Sequence, residues 1–234
     1  MRFTPTLSSI AVAALLAAVT TGANAAAPLI DVQFSNDASH TQTGAAVIGH
    51  AGDDWNNFTT GQAGSGSLLD TTGQASGVSL SFTADFFWES DPGYTQFTGT
   101  PYANLMQGYL VDRGSDIKLN FTGLTAGQEY GFWVYTQGDD NSWSRSISLS
   151  ASNGTTAVTT QTNIGTFALD NNYAFVTAFA DAQGDVTLSG KTLVSEGNID
   201  GVQVTAVPEP SEMALLMAGL AFVAGAAVRR RDAR

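Results

Sequence analysis

Ile117-Lys118-Leu119-Asn120-Phe121-Thr122-Gly123-Leu124-Thr125-Ala126-Gly127-Gln128-Glu129-Tyr130-Gly131-Phe132-Trp133-Val134-Tyr135 is the stretch whose reading decides the fold. Ile117, Leu119 and Phe121 alternate with polar neighbours, the two-residue period of a half-buried strand. A turn holding two glycines follows, then a second extended run rich in aromatics. The same period recurs at residues 29–34, 78–82, 147–149, 173–179, 186–188 and 199–204. Turn formers such as Asn153-Gly154 and Gly184-Asp185 punctuate these runs. The region between the chain ends shows no helical period of useful length. It is therefore expected to be all-β, an antiparallel β-sandwich or jelly roll, with a helix at each end of the chain.

Residues 38–77 are rich in Gly, Ser and Thr, with a short apolar piece at 45–48. They read as an extended loop region crowning one end of the sandwich, where binding functions often reside. The chain has no cysteine, which excludes thiol catalysis, thiolate metal sites and disulfides, so the core must hold the fold. Between residues 26 and 207 there are four basic side chains (Arg113, Lys118, Arg145, Lys191) and eighteen acidic ones, a net charge of −14. Such a surface repels nucleic acid and anionic lipid headgroups. An anionic polysaccharide could approach it only through a divalent cation.

The two ends carry targeting patterns. Arg2, an apolar run at 10–19 and the small residues Ala23-Asn24-Ala25 have the order of a secretory signal, too short to span a bilayer comfortably. Residues 1–25 are expected to be removed by signal peptidase, with Ala23 and Ala25 filling the cleavage site. At the other end, an uncharged apolar run is followed at once by Arg229, Arg230, Arg231 and Arg234, which should stay cytoplasmic while the helix at 211–228 spans the membrane.

Val207-Pro208-Glu209-Pro210, the apolar helix and the arginine cluster, in that order over residues 207–234, resemble the PEP-CTERM sorting signal of Gram-negative bacteria. The resemblance implies a membrane-embedded exosortase as partner and processing near Pro208-Glu209-Pro210. It further implies a membrane-anchored precursor that is then passed to the cell surface or the extracellular matrix of a biofilm or floc. It implies no biochemical activity. The span 26–206 would be the extracytoplasmic domain.

A second resemblance is spread over residues 29–204. Leu29-Ile30-Asp31-Val32-Gln33-Phe34, Asp54-Trp55-Asn56, the 121–130 segment and Gly197-Asn198-Ile199-Asp200-Gly201-Val202-Gln203-Val204 are together similar to galactose-binding-like jelly-roll domains. The Gly-Leu-x-x-Gly-x-x-Tyr piece at 123–130 also occurs in immunoglobulin-like sandwiches, where a tyrosine hydroxyl ties a strand to the preceding turn, so an Ig-like topology is the alternative.

Sugars offer apolar C–H faces to aromatic rings and hydroxyls to amides and carboxylates. Trp55 with Asn56, and Trp143 with Asn141, stand among polar turn formers and are the candidate glycan-binding residues. Trp88 is a weaker candidate, and Trp133 reads as a strand residue. Asp53-Asp54 and Asp139-Asp140 offer clustered oxygens in glycine-relaxed turns, a pattern that suits calcium, although Asp favours turns for its own backbone bonding. His40 and His50 lie in no recognisable catalytic motif, and no catalytic residue is assigned. The expectation is an exported non-enzymatic protein that binds exopolysaccharide. A self-associating matrix protein and a carboxylate-dependent glycan hydrolase are the alternatives.

Overall fold

A computed structural model describes residues 28–59, 61–91, 93–139, 144–162 and 164–208. The expected signal at 1–25, Glu209, Pro210, the apolar segment at 211–228 and the four terminal arginines lie outside the described residues. Among the described residues no helix is long and apolar enough to cross a membrane.

The described residues are all-β. Among them fourteen strands follow one another: β1 Ile30–Phe34, β2 Asn56–Phe58, β3 Ala63–Leu69, β4 Ala75–Thr83, β5 Phe86–Glu89, β6 Gly108–Asp112, β7 Ile117–Thr122, β8 Glu129–Tyr135, β9 Ser146–Ala151, β10 Thr156–Thr159, β11 Tyr173–Phe179, β12 Val186–Val194, β13 Gly197–Ile199 and β14 Gly201–Ala206. They form a five-stranded sheet in the order β11-β8-β14-β1-β2, a six-stranded sheet β10-β9-β12-β7-β4-β3 and a small sheet β13-β6-β5. Pairing between these strands is antiparallel except for β1 with β2, which run parallel.

The two large sheets bury one face of each against the other. Val32, Phe34, Phe132, Val134, Val176 and Val204 from the first meet Leu80, Phe82, Leu119, Phe121, Leu149 and Leu188 from the second in one apolar core. Ring contacts cross the gap: Phe34 to Phe82 at 4.9 Å between centroids and Phe121 to Phe132 at 5.5 Å. Both open edges are stitched. On one side Thr155 N–H donates to the Thr177 carbonyl and Phe179 N–H to the Asn153 carbonyl. A Cβ on Gly154 would stand 2.0 Å from the Thr177 oxygen, so only glycine allows that approach. On the other side Asn56 Nδ2 donates to the Leu69 carbonyl while its Oδ1 accepts from Leu69 N–H, each at 2.8 Å.

Two departures from the sequence reading have clear causes. Residues 38–77 hold β2 and β3 as well as loop, because Ala63–Leu69 is a Gly- and Ser-rich strand at a sheet edge with few side chains to bury. The single run expected at 199–204 breaks at Asp200, where the chain leaves the small sheet as β13 and enters the five-stranded sheet as β14.

Candidate functional site

Strand alternation gives the five-stranded sheet a second, outward face of unusual composition. On β8 and β11, Phe132, Val134, Ala174 and Val176 point into the core, so Trp133, Tyr135, Tyr173 and Phe175 point away from it. Register places Phe175 opposite Trp133, Trp133 opposite Gln203, and Gln203 opposite Asp31. The next row runs Tyr173, Tyr135, Gly201, Gln33.

One part of this face is covered. Trp55, Phe97, Leu105 and Met106 pack with Tyr135 into a second apolar cluster. Buried polar side chains of the sheet hold the 40–48 segment down. Gln203 Nε2 donates to Asp31 Oδ1 (3.0 Å) and to the Ile48 carbonyl (3.1 Å), its Oε1 accepts from the Tyr135 hydroxyl, and Val47 N–H donates to that hydroxyl at 2.9 Å. Gln33 Nε2 donates to the His40 carbonyl at 2.9 Å. Asp31 keeps one oxygen without a partner. Burial pushes its pKa up to about 7, against the hydrogen bond from Gln203 and with help from the charge of Asp53.

The rest of the face is open. The Trp133 and Phe175 rings lie 4.6 Å apart at 45°, and Phe175 is 39% exposed. The Phe175 ring overlies Gly131, where a Cβ would meet it at 2.8 Å, so the platform needs the glycine beneath it. Beside it runs a groove of about 520 Å³ walled by Val47, Thr100, Pro101, Tyr102, Phe167 and Tyr173. Tyr102 and Phe167 sit 4.7 Å apart, and Phe167 leans on Tyr135 at 5.0 Å. A row of aromatic rings with threonine hydroxyls at its margin can stack apolar ring faces and bond hydroxyl groups along an extended ligand.

Of the expected glycan-binding residues, Trp55 and Asn56 are placed otherwise. Trp55 is 7% exposed, and its indole N–H is spent on the Gly44 carbonyl at 2.8 Å, so it packs into the cluster that covers part of the sheet's outer face instead of offering a face to solvent. Asn56 is consumed in the edge stitch and in a bond to the Asp31 carbonyl. Asn141, Trp143 and Asp140 lie outside the described residues. Asp53 Oδ2 accepts from His50 N–H at 2.6 Å, Asp54 is exposed, and Asp139 is ion-paired with Arg145. Among the described residues no three His, Asp or Glu side chains converge as a metal site would require. His40 Nδ1 meets Glu89 Oε1 at 2.6 Å.

Trp133 and Phe175 were legible in principle. Once Phe132 and Val134 are assigned to the core, the two-residue period sends Trp133 to the opposite face. What sequence could not supply was the register that brings Phe175 beside it.

No family model matches the chain, and no curated protein does. Solved structures with some likeness include the CBM22-1–GH10 modules of Clostridium thermocellum endo-1,4-β-D-xylanase 10B complexed with xylohexaose, at 14% identity and TM-score 0.32 over 56% of this chain and 26% of that one. A CBM35 from Cellvibrio japonicus matches at 20% identity and TM-score 0.30, over 49% of this chain and 80% of that one. TmCBM61 in complex with β-1,4-galactotriose matches at 12% identity and TM-score 0.28, over 55% and 88%. The match thus spans about a quarter of the xylanase chain, and TM-scores of this size assign no ligand and no residue role here.

Proposed function

We propose that this domain is a non-catalytic glycan-binding module that holds a polysaccharide chain along the open outer face of the five-stranded sheet. The observation that carries the reading is the Trp133–Phe175 pair, an outward-facing aromatic platform on the sheet, with Tyr173, on the same face of β11, walling a groove together with Tyr102 and Phe167. Sugar rings would stack on Phe175 and Tyr173, and Thr100, Thr166 and Thr177 would bond their hydroxyls. With a net charge of −14, the domain favours neutral over uronate-rich chains. We read the paired sheets as a galactose-binding-like jelly roll, a reading supported by the closing antiparallel pair of β1 and β14.

The C-terminal pattern completes the reading. A PEP-CTERM signal at 207–234 would deliver this module through an exosortase to the cell surface, where exopolysaccharide is the available ligand. The support is the order of motif, apolar run and arginines in the sequence.

Affinity electrophoresis of the full chain through gels containing neutral xylan, β-1,4-galactan or β-glucan tests the binding. At least one polymer should retard it, and Phe175→Ala should abolish the retardation. Equal mobility with and without all three polymers would refute the reading.

A further inference from the structure

A second cavity of about 520 Å³ lies at the small sheet, walled by Phe86, Trp88, Tyr109, Arg113, Arg145 and Glu196. It shares no lining residue with the groove on the five-stranded sheet. Phe87 packs against the main core, which leaves Phe86 and Trp88 on the other face of β5, 52% and 56% exposed. Two large aromatics this open on a short strand do nothing for the core, and clustered exposed apolar surface of this kind marks a contact site.

The polar floor is built to stay fixed. Residues 26–207 hold only two arginines, and both line this cavity. Arg113 stacks over the Phe86 ring at 5.5 Å and donates from Nε and Nη2 to Glu196 Oε2 at 3.1 and 2.7 Å. Arg145, buried, donates from Nε to Glu196 Oε1 at 3.1 Å, from Nη1 to the Asp139 carbonyl at 2.8 Å, and from Nη2 to Asp139 Oδ1. Asn198 Nδ2 adds a bond to Glu196 at 3.1 Å. Burial alone would raise the Glu196 pKa. The bonds from Arg113 and Asn198 and the charges of both arginines bring it below the usual carboxylate value instead, so Glu196 stays ionised.

Two guanidinium groups matched against two carboxylates leave a floor without net charge, with the Arg113 side chain, 49% exposed, at its rim. That pattern suits adjacent hydroxyls of a neutral ligand better than an ion, and the aromatic wall suits a flat apolar face. The volume falls within the about 300–1,000 Å³ of small-molecule sites.

We propose that this cavity is a second glycan site, taking a neutral sugar whose C–H face rests on Trp88 and whose hydroxyls bond the solvent-facing side of the Arg113 guanidinium. One domain then bridges two polysaccharide chains. The inference rests on the glycan reading above but uses separate residues.

The test is calorimetric titration of the full chain with xylohexaose, β-1,4-galactotriose and cellohexaose, paired with light scattering in the matching polymer. The wild type should bind two equivalents and cross-link the polymer. Trp88→Ala should leave one equivalent, lower affinity at the lost site at least 10-fold and abolish cross-linking, while Trp88→Phe keeps both. Phe175→Ala should leave the other equivalent. A stoichiometry unchanged by Trp88→Ala overturns the second site. A single equivalent lost in Trp88→Ala and untouched by Phe175→Ala supports the second site and overturns the groove reading together with bridging. No heat with any of the three overturns both.

Discussion

The described tryptophan side chains divide by what their second face meets. Trp55 is closed in by Tyr135 and the 40–48 segment, its indole N–H already satisfied, so its value is structural. Trp55→Ala should destabilise the domain by about 3–5 kcal/mol, read from urea denaturation, because it opens a cavity that the rigid sheet cannot close. Polar neighbours in Asp53-Asp54-Trp55-Asn56 suggest a surface ring from sequence. The structure shows instead that Asp53 and Asn56 bond the backbone around a buried one. Trp133, embedded in an apolar run, turns outward.

Residue-scale electrostatics predict the pH response. Burial raises Asp200 to about 8, against hydrogen bonds from the Gln137 and Gly138 backbones and the charge of Arg145, and raises Asp31 to about 7. An aspartate whose folded pKa stands above its unfolded value holds its proton more tightly in the folded chain. Its stabilising effect is therefore fully present below the unfolded value near 4 and is lost as pH rises through 7 to 8. Thermal denaturation between pH 4 and 8 should show Tm falling toward the alkaline end, with a flatter profile in Asp31→Asn and Asp200→Asn. A Tm that climbs across this window would contradict the assignment.

At the scale of elements, β8 and β11 start and stop where sequence periodicity places them, because each has one wholly apolar face. The expected tyrosine tie is present: Tyr130 hydroxyl accepts from Thr125 N–H at 3.0 Å and fixes the turn that feeds β8. β3 and β5 escape the same reading for opposite reasons. β3 is Ala, Gly and Ser up to Leu68-Leu69 and shows no apolar alternation, and Phe86-Phe87-Trp88-Glu89 in β5 has apolar side chains without alternation, since one face serves the core and the other stands open. The platform depends on the glycine in β8. Gly131→Ala should tilt the Phe175 ring and weaken polysaccharide retardation several-fold while the cooperative unfolding transition persists. Full-strength retardation in that variant would show that ring placement is unimportant.

For the whole molecule, the sandwich is complete before Pro208-Glu209-Pro210. β14 closes at Ala206, Val207 N–H donates to the Glu129 carbonyl at 2.8 Å, and Gln128 Nε2 donates to the Val207 carbonyl at 2.9 Å. A chain cut to residues 28–208 should keep the Tm of the full chain within about 2 °C, since no described core contact lies beyond the cut. The two cavities sit on separate sheets of this one body, each pairing open aromatics with polar groups, although only the sheet face was foreshadowed by strand periodicity. The floor of the second cavity draws on residues as distant as Arg113, Arg145 and Glu196, which no local pattern joins.

The central claim is that the outer face of the five-stranded sheet holds a glycan. Backbone amide chemical-shift mapping of the protein during titration with xylohexaose, β-1,4-galactotriose or cellohexaose tests it most directly. Saturable shifts are expected at Gly131, Trp133, Tyr173, Phe175 and Thr177, with the core-facing residues of β7 and β12 unmoved. A titration that leaves β8 and β11 unchanged with every oligosaccharide would contradict it.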